Sequence, residues 1–124
     1  MYQSHVKGLE LFKAQAEGYG NPITTFGRTQ EGETPVSLVN IALAACVTMC
    51  VQGYYASQEQ KKQVPVEVGC HHFEDGFHLR IFLEQEIGAA QQEKILAYID
   101  TKCKVKALLR EDLQYTIEFA VLDD

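Results

Sequence analysis

Apolar positions concentrate in residues 41–51, where every residue except Thr48 is apolar. Just ahead of this run, Thr34 is a good N-cap. Pro35 suits the first helical position, where its missing N–H has no partner to lose. The pattern predicts a helix from Thr34 to about Ser57, with Gly53 as its interruption. The middle of that helix is apolar on all sides, so it should be covered all round rather than lie on a surface with one wet face.

Shorter pieces precede it. Residues 2–6, roughly 9–16, and 23–26 read as strands with imperfect alternation. "GYGNP" (18–22) is a turn, and "GRTQEGE" (27–33) is a loop. After the helix, "VEVGCHHFEDGFHLRIFLE" centres on Asp75-Gly76, a two-residue hairpin signal. Folding about that turn sets His72 opposite Leu79, Cys70 opposite Ile81, and Val68 opposite Leu83. Val66, Val68 and Cys70 then share a face with Phe77, Leu79, Ile81 and Leu83, while His71 and Arg80 point the other way. A second helix runs from about Ala89, with Ile95, Ile99, Cys103 and Leu96 on one stripe. Beyond Cys103 the stripe moves to Val105, Leu108 and Leu109. That shift predicts a kink, or a fresh short helix starting near Asp100 or Thr101. Residues 113–121 alternate as a strand with one buried face.

The order strands, helix, hairpin, helix, strand predicts an α+β domain in which helices cover an antiparallel sheet. One small sheet cannot enclose a helix that is apolar all round. A second copy of the chain is therefore expected to complete the cover, as an obligate homodimer.

Length and charge narrow the function. A chain of 124 residues has room for one domain, 1–124, and 46% hydrophobic content argues against disorder. The net charge of −6, with no run of Lys or Arg, disfavours nucleic acid as a partner. "MYQSHVKG" lacks the basic-then-apolar order of a signal peptide, and the run 41–51 is short of the ~20 residues a bilayer span needs. The expectation is a cytoplasmic protein with no membrane partner, whose four cysteines are mostly reduced.

The cysteines are the candidate chemistry. Cys46 and Cys50 are i and i+4 on one helix, with Cβ atoms ~5–6 Å apart. A disulfide needs ~3.5–4.5 Å, so they cannot bond each other while the helix is intact. A partner must come from another element, and Cys103 is the natural candidate. In the first turn of a new helix capped by Asp100 or Thr101, and beside Lys102, Lys104 and Lys106, its thiolate would be stabilised. Cys46 has no such local help and needs a base or cation from elsewhere in the fold. Cys50 and Cys70 read as core residues. "CHHFEDGFH" (70–78) resembles a metal cluster only at first sight. Cys70 and His72 fall on one strand face and His71 and His78 on the other, so no metal site is expected there. His5 stands alone, and no Gly-rich phosphate loop is present.

"TPVSLVNIALAACVTM", followed much later by "CKVKALL" from Cys103, resembles the OsmC/Ohr family of thiol-dependent hydroperoxide reductases. The family pattern has a Pro opening a helix, a small-residue run ending Ala-Ala-Cys, and a later Cys-Pro-Val-type segment. Pro35 and Cys46 fall at that spacing, and Cys103-Lys104-Val105 sits where the second segment belongs. The resemblance implies an OsmC-like fold, an antiparallel sheet wrapped around two main helices in an intertwined homodimer. It also implies that Cys46 is the peroxidatic and Cys103 the resolving catalytic cysteine. The substrate would be a small organic hydroperoxide, the reductant an external dithiol, and no metal or organic cofactor is needed. The chain departs from the pattern in three places. Val36 stands where family members carry a Glu that helps orient an arginine, Lys104 replaces the Pro, and no Arg precedes Arg28; Lys7 is another weak candidate for the activating cation. These departures support an alternative, an OsmC-fold protein without peroxidase activity that binds a small apolar ligand or acts in stress regulation.

Overall fold

The computed structural model describes residues 1–123. The chain divides into two compact units, Met1–Val39 and Asn40–Asp124.

The first unit is a three-stranded antiparallel meander: β1 (His5–Gly8), β2 (Lys13–Glu17) and β3 (Ile23–Phe26). The strands expected at 2–6 and 9–16 are thus real but begin later. A tight turn at Glu10–Lys13 displaces them, closed by the Lys13 N–H donating to the Glu10 carbonyl at 3.0 Å. Phe12 takes a left-handed φ of 57° to complete that turn, a conformation no hydrophobicity pattern announces.

Helix α1 (Pro35–Gln58) starts where Thr34 and Pro35 said it would. The reason is a reciprocal cap: the Ser37 N–H donates to Thr34 Oγ1 at 3.1 Å and the Thr34 N–H to Ser37 Oγ at 2.8 Å. Ser37 thus does the work that Glu does in a capping box. At the other end Gln60 turns left-handed, φ 58°, and the Lys61 N–H returns to the Tyr55 carbonyl at 3.1 Å.

The second unit holds the rest of α1, then β4 (Val66–Phe73), β5 (Gly76–Leu83), α2 (Ala89–Lys102), α3 (Lys104–Leu108) and β6 (Gln114–Val121). Its sheet has the order β4-β5-β6. Two expectations are corrected here. First, the sheet is not wholly antiparallel: β5 and β6 run parallel. The α2–α3 segment is a crossover that brings the chain back to the starting end of β5, so β6 repeats its direction. The fold is α+β with two separate three-stranded sheets, one of them mixed. Second, the hairpin register is offset by two residues. Phe73 pairs with Gly76, His72 with Phe77, Cys70 with Leu79, and Val68 with Ile81. Glu74 and Asp75, not Asp75 and Gly76, form the turn. Because side chains alternate with period two, the faces are unchanged by this offset. Gly76 has a different purpose from the one its sequence suggests. It lies within the strand, where an added Cβ would come 1.9 Å from the Gln114 carbonyl oxygen. It is glycine because β6 passes too close for any side chain.

The core of this unit is built from Leu43, Val47, Val51 and Tyr54 of α1, Phe77, Leu79, Ile81 and Leu83 of β5, Ile95 and Ile99 of α2, and Cys103. One flank of α1 is therefore filled by this chain's own sheet and helix. The other is not: Ile41 is 48% and Met49 65% exposed, so this unit by itself does not supply the all-round cover expected of the helix. By length and composition alone α1 is long and apolar enough to cross a membrane. The apolar run 41–51 is only the middle of it.

Candidate functional site

The break foreseen after the second helix falls at Cys103 itself. Cys103 ends α2, with its N–H donating to the Ile99 carbonyl at 2.8 Å, and it is also the N-cap of α3. With φ −76° and ψ 103° it is extended, which turns the chain and points its side chain inward. The cap expected from Asp100 or Thr101 is instead the Cys103 sulfur, which accepts from the Lys106 N–H at 3.5 Å.

This joint brings Cys103 to the side of α1 that carries Cys46 and Cys50. The three Sγ atoms lie within 4.8 Å of one another. Cys46 and Cys103, paired in the sequence reading, are thus neighbours in space, and no disulfide links any of the four cysteines. Cys50, read as a core residue, is buried but belongs to the same sulfur cluster. Its i+4 spacing from Cys46 was visible in sequence. Its approach to Cys103 was not, because that depends on where the α2–α3 joint packs.

The electrostatics separate the three thiols. Burial works against the Cys46 thiolate, but it is outweighed by hydrogen bonds from the Val105 N–H, the Cys103 thiol, the Lys104 N–H and the Cys50 thiol, so the Cys46 thiol sits below the ordinary cysteine range. Burial pushes Cys50 up to about 12, helped by the neighbouring Cys103 and Cys46 charges. Cys103 is also raised, first by burial and then by hydrogen bonding and charge from Cys46, despite the Lys106 N–H on its sulfur. The expectation that the new helix start would favour a Cys103 thiolate is therefore corrected. The free N–H groups of the first turn of α3 at Lys104 and Val105 face the Cys46 sulfur, across the gap, rather than only that of the capping residue.

The lysines do little here directly. Lys106 Nζ pairs with Asp100 and lies 4.7 Å from the Tyr115 ring centroid, and Lys102 lies 6.0 Å from that of Tyr98. Tyr115 closes the Cys103 side. Its hydroxyl is buried without a hydrogen-bond partner among the described residues, and burial, with the Cys103 charge, raises its pKa. In the first unit, Arg28 is exposed and paired with Glu31 at 3.3 Å, and Lys7 lies on β1.

Cys70 is accounted for structurally. Its thiol donates to Asn40 Oδ1 at 3.0 Å while Asn40 Nδ2 donates to the Cys70 carbonyl at 3.0 Å, tying α1 to β4. Burial pushes Cys70 up to about 11. His71 and His78 pair across the hairpin, on the face away from Cys70.

The mixed α+β frame recurs in solved structures. An OsmC-like protein from Mycoplasma pneumoniae superposes with a TM-score of 0.76 at 12% identity, covering 99% of this chain and 98% of its own. The chain has the fold of the OsmC-like proteins. The organic hydroperoxide resistance protein OsmC from Legionella pneumophila (TM-score 0.63, 14% identity, 99% of this chain and 98% of that one) shares the OsmC-like fold. So does the organic hydroperoxide resistance protein OhrB of Bacillus subtilis (TM-score 0.63, 12% identity, 98% of each chain). No protein-family model and no curated protein sequence matches the chain.

Proposed function

We propose that this chain is a thiol-dependent peroxidase acting on organic hydroperoxides, with Cys46 peroxidatic and Cys103 resolving. The observation that carries the reading is that the Cys46 and Cys103 sulfurs lie within 4.8 Å of each other, with the Cys46 thiol held below the ordinary cysteine range and the Cys103 thiol above it. A peroxidatic nucleophile needs a lowered pKa, and a resolving partner needs to lie within reach of the sulfenic acid that forms. The Cys46 thiolate attacks one peroxide oxygen and the O–O bond breaks. With one proton taken up, the products are the Cys46 sulfenic acid and an alcohol. The Cys103 thiol then condenses with the sulfenic acid, releasing water and forming the Cys46–Cys103 disulfide. An external dithiol reduces that bond by exchange and leaves as its own disulfide. The two similar proteins whose names carry organic hydroperoxide resistance point to the same substrate class.

A homodimer is part of this reading, supported by the apolar, exposed flank of α1 at Ile41 and Met49, as is a cytoplasmic location with the thiols kept reduced. The second reading, an OsmC-fold ligand-binding or regulatory protein without peroxidase activity, is favoured by one observation. Val36, where the family pattern has Glu, is 61% exposed and offers no carboxylate to orient a cation.

The deciding assay supplies cumene hydroperoxide and a dithiol reductant. Turnover that disappears in Cys46→Ser is the expected result. Cys103→Ser should stop at a Cys46 sulfenic acid trappable with dimedone. Wild-type protein indistinguishable from Cys46→Ser would sink the peroxidase reading.

A further inference from the structure

The peroxide chemistry uses two thiols, yet three converge. We propose that Cys46, Cys50 and Cys103 together bind one thiophilic divalent ion of the zinc class. This inference does not rest on the peroxidase reading. It stands on the positions and chemical kind of the three side chains.

The geometry is that of a chelate. The i,i+4 spacing of Cys46 and Cys50 is too wide for a disulfide, but it is the spacing by which two histidines on one helix face hold a zinc ion. Cys103 comes from a separate element and supplies the third corner. With Zn–S bonds of ~2.3 Å, the sulfur–sulfur edge of a tetrahedral site is ~3.8 Å. The three sulfurs already lie within 4.8 Å of one another, so they close on an ion by about 1 Å or less. The Cys103 joint between two helices is a natural place for such a movement.

Donor type sets the ion class. All three donors are sulfur, which selects zinc-class ions over magnesium or calcium. Cys50 and Cys103 are 7% and 3% exposed, while Cys46 is only partly buried. The ion would be enclosed on two sides and approached from the third, with its fourth position open to water or a small ligand. Binding is a proton exchange without change of oxidation state. Three neutral thiols and one dication give a complex of net charge −1 and three protons released to solvent. Where Cys46 is already ionised, two are released. The Lys106 N–H on the Cys103 sulfur and the Val105 and Lys104 N–H groups facing Cys46 disperse that residual charge. Because each thiol gives up its proton on binding, affinity rises with pH. An occupied site ties up Cys46 and shields it from alkylation.

The test uses the full-length, reduced chain without oxygen and Cd2+ alone as the probe. A thiolate-to-cadmium charge-transfer band should appear, saturate at one ion per chain, and be displaced by Zn2+. Cys50→Ser should weaken binding by at least ~10-fold, since a ligand matters no less than the outer partners whose loss costs ~10–100-fold. Cys70→Ser should bind as wild type does. A readout that needs no variant keeps the test decisive if a variant misfolds: Cd2+ should protect Cys46, Cys50 and Cys103 of the wild-type chain from alkylation, read by peptide mass spectrometry. The proposal is overturned by no saturable band, by one ion per two chains, by a complex that Cys50→Ser leaves unchanged, or by Cys50 remaining unprotected. The two readings fail separately. A chain inert towards cumene hydroperoxide that still binds Cd2+ through Cys50 keeps this inference and loses the other. An active peroxidase without a Cd2+ band does the reverse.

Discussion

Replacing Lys104 with proline tests what makes Cys46 a thiolate. In the wild-type chain the Lys104 N–H is one of the hydrogen-bond donors that favour the charged sulfur, alongside Val105, Cys103 and Cys50. Proline removes that N–H and nothing else from the backbone. The position tolerates it for two reasons. Lys104 is the first residue of α3, where the N–H has no intrahelical partner and a φ near −65° is already required. The preceding residue, Cys103, has φ −76° and ψ 103°, the extended conformation that a following proline demands. Stability should therefore change by less than ~1 kcal/mol. A hydrogen bond to a charged group is worth ~1.5–3 kcal/mol, so its loss cuts the thiolate population at a fixed pH below the midpoint by roughly ten- to a hundred-fold. Burial stays and now meets less opposition, so the midpoint moves up. The measurement is the rate of Cys46 alkylation by iodoacetamide against pH, with modified peptides identified by mass spectrometry. Lys104→Pro should react more slowly at neutral pH and converge with wild type at alkaline pH. Lys104→Ala removes the side-chain charge but keeps the N–H, and should track wild type. A folded Lys104→Pro protein with an unchanged profile would show that the α3 backbone is not what activates Cys46. An equal effect from Lys104→Ala would assign the effect to the lysine charge.

Two further outcomes follow from the same geometry. Gly76→Ala drives a methyl into the Gln114 backbone, which cannot rotate away as a side chain would. Parting β5 from β6 and losing the 2.9 Å bond from the Gln114 N–H to the Asp75 carbonyl should cost about 3 kcal/mol in urea unfolding, and a change below about 1 kcal/mol would contradict the close approach. Cys50 and Cys70 have native pKa values raised to about 12 and about 11, above the ordinary ~8.5 of the unfolded chain. The unfolded chain thus releases protons first. Stability is unaffected by these groups below about pH 8, then falls by up to about 1.4 kcal/mol per pH unit for each as pH rises towards the native values. Urea midpoints measured between neutral and alkaline pH should show this fall, and Cys70→Ala should flatten it.

Much of the frame was legible because it depends on neighbours in sequence. Thr34 and Pro35 start α1 through contacts within one turn, and the alternation of residues 113–121 follows from the two-residue period of a strand. The hairpin faces were legible for the same reason, while its register was not. Asp75-Gly76 carries the signal of a turn, but the glycine answers to β6, nearly forty residues away, and so the turn moved to Glu74-Asp75. The direction of β6 was equally hidden, since a strand's side-chain pattern is the same whichever way its neighbour runs.

The thiols divide along the same line. Sequence alone determined that Cys46 and Cys50 share a helix face and cannot bond, and that a break in the hydrophobic stripe singles out Cys103, because helical spacing is a local property. Only the tertiary structure decided that Cys50 joins the pair, and that the donors at the start of α3 favour the Cys46 thiolate rather than the cysteine that caps them. The physical reason is that a thiol's ionisation is set within a few ångströms, by whichever backbone N–H groups and sulfurs packing brings there.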